Sequence, residues 1–169
     1  MTNKEFFLQI WQDEAKTTAN ALRALPSTGL DYKPDSKSRS AQAIAEHIIP
    51  HTDDVVQILD TGVCNHISFA KIEDMHKAAD AMEKGVSAIE SALNKVDDKT
   101  WNEKVVPFFV NGNKIYEQPM YSMCWGILFD IIHHRGQLST YYRPMGVRNP
   151  AIYGPTAEMM EEMMDGEQS

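Results

Sequence analysis

Cysteine is nearly absent from this chain. The two present, Cys64 and Cys124, fall in different predicted helices. That usage suits a reducing compartment and argues against a disulfide framework, leaving room for one bridge at most. Positive charge is also short: 16 Lys and Arg stand against 24 Asp and Glu, for a net charge of −8. An acidic surface repels phosphate backbones, and no cluster of Lys or Arg offsets it, so sequence-independent DNA or RNA binding is not expected. No apolar run reaches the length of a membrane span. The opening "MTNKEFFLQIWQDEAK" lacks the basic-then-apolar order of a signal peptide. Repeats and low-complexity segments are missing too. What remains is the expectation of a soluble, cytoplasmic protein. With 169 residues, 43% of them hydrophobic, the chain suits a single domain, 1–169, with one core.

Four long helical patterns account for most of the sequence. The first runs from Thr2 to Leu25, with Phe6, Phe7, Ile10, Ala21, Leu22 and Leu25 at three-to-four spacing. Thr2 and Glu5 form a candidate capping box, and Pro26 stops the helix. Ser40 is the expected N-cap of a second helix that Gly62 closes, with Pro50 kinking it midway. A third, from about Glu73 to Val96, carries an apolar stripe through Met75, Ala79, Met82, Val86, Ile89 and Leu93. Asn111-Gly112, between "VVPFFV" and "KIY", signals a hairpin, weakened by Pro107. The fourth helix spans about Pro119 to Arg143, and the tail adds a short Met-rich helix. This pattern predicts an all-α four-helix bundle with a small hairpin-like insertion before the last long helix.

That fourth helix contains "LFDIIHHRGQLSTYY", apolar nearly all round yet interrupted by polar groups. Relative to Asp130, His134 lies about 40° round the helix, Gln137 about −20° and Tyr141 about +20°. The four form one longitudinal stripe with apolar flanks. A buried carboxylate without a partner costs several kcal/mol, roughly, so something must satisfy it. A divalent cation does so, and Asp130 and His134, at i and i+4, can reach one ion together. Spacing alone leaves a simple ion pair open as the other reading. A third ligand must come from elsewhere. His47 follows small and apolar residues on the second helix, with His51 one turn on. Three such ligands leave coordination positions open, as catalytic sites do. His133 is a rival ligand on the flank of the stripe. His66 and His76, near helix ends, read as surface residues, and Arg135 as the partner of an acid on a neighbouring helix.

"HHRGQL", followed by "YYRPMG" and "PAIYGPTAE", resembles the C-terminal signature of the DinB/YfiT-like superfamily. "DYKPDSKSRSAQAIAEHI" resembles its N-terminal signature, and the two occur in the family's order across nearly the whole chain. The resemblance implies an up-down-down-up bundle with a divalent metal held by three side chains from helices two and four. Position by position, these are His47, His134 and Asp130. The last is a departure, because histidine often stands there in relatives. Aspartate is a competent ligand that shifts the set towards harder ions, so nickel, zinc, manganese and iron all stay open.

The resemblance further implies a metal-dependent enzyme of the thiol S-transferase or hydrolase type, acting on a small molecule with a low-molecular-weight thiol as nucleophile, in a homodimer. In that scheme Gln137 and Tyr141 orient the ligand or donate to developing charge, and His51 is either the general base or a group supporting the ligands from behind. The alternative is a non-catalytic metal-binding or stress-response protein, in which the ion only pins helices together.

Overall fold

The computed structural model describes residues 1–67 and 70–166. The first long helix, α1 (Asn3–Arg23), begins at the capping box read from the sequence. Thr2 accepts from the Glu5 amide, and Glu5 reaches back to the Thr2 amide. Its inner face, Phe7, Trp11, Ala15, Ala19 and Leu22, is buried. It packs on α4 (Met75–Leu93) and on the central helix α6 (Met120–Ser139).

The second predicted helix is two helices, α2 (Ala41–Ile48) and α3 (His51–Thr61). Ser40 caps the first through the Ala43 amide. The break falls at Pro50, which has no N–H to give to the carbonyl of Glu46. The Ala70 amide takes that carbonyl instead, at 3.0 Å. The Glu46 carboxylate also accepts from the Ile72 amide at 3.2 Å. The hydrogen bond lost at the proline therefore docks the segment leading into α4. Gly62 ends α3 in the left-handed conformation, at φ 76°.

The hairpin insertion is present and is joined by a third strand from between α3 and α4, so the all-α expectation is corrected to a mostly helical fold with a three-stranded sheet. Strand β2 (Val105–Val110) pairs antiparallel with β3 (Asn113–Pro119) and parallel with β1 (Cys64–His66), which lies on its other side. Cys64 thus sits on a strand and not on a helix. Asn111 and Gly112 both adopt positive φ, 50° and 78°, as a tight two-residue hairpin loop requires. Pro107 is accommodated just before the stretch of β2 that β1 pairs. A short helix, α5 (Asp98–Glu103), precedes the β2–β3 hairpin, and the tail helix α7 (Ala157–Gly166) buries no residue. No helix of the described residues is long and apolar enough to cross a membrane.

Arg135 lies on α6, 1% exposed, and does pair with an acid from a neighbouring helix. Its guanidinium is 2.6 Å from Glu14 on α1 and donates to Thr18 at 3.0 Å. The Tyr153 hydroxyl donates to the same carboxylate at 2.8 Å, tying the segment after α6 to α1. Removing one partner of such a pair strands a buried charge, at a cost of about 3–5 kcal/mol. Glu14→Leu is expected to lower the unfolding free energy by about that much in urea denaturation. Glu14→Leu/Arg135→Met should recover most of the loss.

Candidate metal centre

Asp130 is the centre of a convergent set. Its Oδ2 lies 2.9 Å from His51 Nε2, 3.1 Å from His47 Nε2 and 3.5 Å from His134 Nε2. Three elements deliver these atoms. α2 brings His47, α3 brings His51 one turn later across the Pro50 break, and α6 brings Asp130 and His134 on successive turns. The rings of His47 and His134 meet edge to face, 4.6 Å between centroids.

A second carboxylate lies behind the first. Asp54 on α3 is buried, and its Oδ2 accepts from His51 Nδ1 at 3.0 Å and from His66 Nδ1 at 2.7 Å. The order is thus Asp130–His51–Asp54–His66. His66 corrects the surface reading: β1 turns it inward, its ring stacked on His51 and, on Phe108 of β2. His76 is exposed, as read. Asp54 and His66 are the residues that sequence reasoning missed. Their signal was His51-x-x-Asp54 on one helical face and Cys64-x-His66 on one strand face, both too short to stand out.

The environment fixes protonation. Burial works against ionising Asp130, but hydrogen bonds from His47 and His51 outweigh it and hold the carboxyl well below the usual carboxylate range. Burial likewise opposes the Asp54 carboxylate, and His51 and His66 likewise prevail. For His51 burial disfavours the cation, yet Asp130 and Asp54 on its two nitrogens push the pKa up. His134 goes the other way: burial lowers it against the opposing pull of Gln137 and Asp130. Gln137 sets its tautomer, because the Gln137 Oε1 can only accept and lies 2.8 Å from His134 Nδ1. The proton is therefore on Nδ1, and Nε2 presents a lone pair, facing Asp130 and Arg39.

This donor set fits a divalent ion. His47, Asp130 and His134 each offer one ligand atom within 4.8 Å of the others. Bonds of about 2.0–2.1 Å in tetrahedral geometry separate donor atoms by about 3.4 Å. The 3.1 Å and 3.5 Å separations about Asp130 bracket that value. The carboxyl is ionised, and the histidine on α6 has its lone pair aimed inward, fixed by Gln137 behind it.

The remaining sequence candidates lie differently. Gln137 serves His134, and its amide nitrogen is 3.1 Å from His133 Nε2. The Tyr141 hydroxyl donates to the Arg39 carbonyl at 3.1 Å. His133, Gln137 and Tyr141 line a cavity of about 830 Å³ on one side of His134. His47, His51, His66 and Asp130 line another of about 420 Å³, whose apolar wall is Phe108, Val110 and Tyr116 from the sheet.

The sequence matches the DinB family over residues 1–168. The chain belongs to the DinB family. Its fold is similar to that of a DinB-like protein from Bacillus cereus ATCC 10987, known from a crystal structure. The two superpose with a TM-score of 0.68 at 24% identity, over 88% of this chain and 97% of that one. No functionally curated protein matches the sequence.

Histidine NMR of the metal-free DinB chain should resolve the two environments. His51 is expected to titrate above the ordinary value of about 6.5, and His134 below it. The sign for stability follows. A histidine raised on folding contributes fully below its unfolded pKa and loses that contribution as pH rises through the folded one. The stability difference between wild type and His51→Gln should therefore be largest below about pH 6.5 and shrink above it. A difference that grows with pH would contradict the arrangement.

Proposed function

We propose that this DinB protein binds one divalent ion through His47, Asp130 and His134 and uses it in a thiol-transfer or hydrolytic reaction on a small molecule. We read the long helices α1, α2 with α3, α4 and α6 as the family's up-down-down-up bundle around that ion. The convergence of two imidazole nitrogens on one ionised carboxylate oxygen, at metal-ligand separations, carries the reading. A bound divalent ion would lower the pKa of a thiol or water and supply a nucleophile at neutral pH. The protein's own groups do the rest. His51, held by Asp54, stands beside Asp130 as the residue that keeps or gives up a proton. Phe108, Val110 and Tyr116 give the 420 Å³ cavity an apolar wall that excludes water from one side. Gln137 acts through His134, as a positioning residue.

One observation favours the non-catalytic alternative. Both hydrogen-bonding groups of Gln137 and the hydroxyl of Tyr141 are already engaged within the protein. In that reading the ion only ties α2 to α6.

Metal content decides the first question. Untagged wild type, offered nickel, zinc, manganese or iron, is expected to retain one ion per chain. His134→Ala and Asp130→Leu should lose most affinity, whereas Asp130→His should keep it. Equal occupancy in wild type and His134→Ala would overturn the ligand assignment. A panel of thiols with electrophiles, and of activated esters, decides the second. Turnover that disappears with chelation and returns with metal supports the enzyme. A chelated protein that melts earlier, with no turnover in either form, supports the structural role.

A further inference from the structure

Arg39 occupies a position that a metal ion contests. Its guanidinium lies 3.2 Å from His134 Nε2, on the lone pair that Gln137 leaves available. One lone pair cannot serve both. Once an ion takes it, the guanidinium must turn away, and a second cation close to a dication requires an anion to offset it.

The place it can turn to is on the page. Arg39 lines both cavities, and the larger, about 830 Å³, is the size of a metabolite site. Lys37 lines it as well, and its ammonium makes no ion pair among the described residues. No carboxylate lines this cavity among the described residues, in a chain of net charge −8. Asp35, the nearest acid in sequence, is turned into its own loop, accepting the Lys37 amide at 2.8 Å. The loop is held in place. Tyr141 donates to the Arg39 carbonyl, and the Tyr141 ring packs edge to face on Tyr32 at 5.5 Å. Tyr141, whose hydroxyl proton is spent on that carbonyl, thereby fixes the backbone that presents the two cations. His133 on α6 and Thr140, the C-cap of that helix, add further polar groups to the lining.

We propose that this cavity is an anion subsite. Arg39 and Lys37 take the carboxylate or phosphate of a small molecule whose remainder passes His134 towards the metal centre. The planar fork of Arg39 suits either head group bidentately, and Lys37 adds a point charge. The subsite rests on the metal reading for the displacement of Arg39. It names the substrate class for that centre: anionic, with the charged group remote from the reacting one.

The test is a calorimetric titration at low ionic strength, where such contacts are least screened. The probes are succinate, inorganic phosphate and neutral succinamide, with zinc-loaded wild type, Arg39→Met and Lys37→Met, zinc content being measured separately in each. Succinate or phosphate should bind wild type, and each variant should weaken that binding about tenfold or more with its zinc retained. Succinamide should not bind. The tighter of the two anions identifies the head group. Equal anion affinity in wild type and both variants would place the anion on the zinc itself and overturn the subsite. Failure of wild type to hold zinc would instead count against the metal reading. The same comparison of variants on metal-free protein would then decide the subsite by the same criterion.

Discussion

The Asp130 carboxylate is a negative charge lodged among helices, and three imidazoles are arranged to answer it. A half-buried carboxylate must be balanced, by protons on its neighbours or by a cation between them. The His51 cation supplies that balance in the metal-free chain, with Asp54 balancing His51 in turn. Each charge in the row is thus conditional on the next. A cation placed among these groups would take over the balance those protons supply, so protonation and cation binding here would be coupled.

The backbone makes this possible through a defect. An unbroken helix would place His47 and His51 on one face at a fixed pitch and leave the Glu46 carbonyl satisfied internally. Pro50 ends α2 there, frees the carbonyl for Ala70, and lets α3 start afresh with His51 at its first position. His51 can then turn one nitrogen to Asp130 on α6 and the other to Asp54 on its own helix. The same docking brings the segment after β1 against α2, so His66 closes the row from the sheet side.

Much of this was legible because it is local. Capping at Thr2 and Ser40, the end at Gly62 and the Asn111-Gly112 turn are chemistry written within a few residues, and all four appear where the sequence puts them. Asp130 and His134 share a helix, so their proximity follows from pitch alone. The parallel pairing of β1 with β2 is different. It joins Cys64–His66 to Phe108–Val110 across more than forty residues, and a strand of three residues carries no periodic signal. His66 therefore read as surface, and Asp54 was not singled out at all. Gln137 and Tyr141 show the converse limit. A helical wheel puts both on the stripe, yet α6 ends at Ser139, short of the expected Arg143, so Tyr141 falls in the turn beyond it; nor can the wheel say that one would be spent on His134 and the other on a loop carbonyl.

The sheet has a consequence for how relatives of this chain can differ. The helices hold the donor atoms, yet Phe108, Val110 and Tyr116 stand on strands that meet at an exposed two-residue tip. Replacing those side chains reshapes the chamber without disturbing a ligand atom or the buried Arg135–Glu14 pair. The hairpin side chains can therefore vary while the charged row beneath them stays constant, so the shape of the chamber and the setting of Asp130 are mutationally separable.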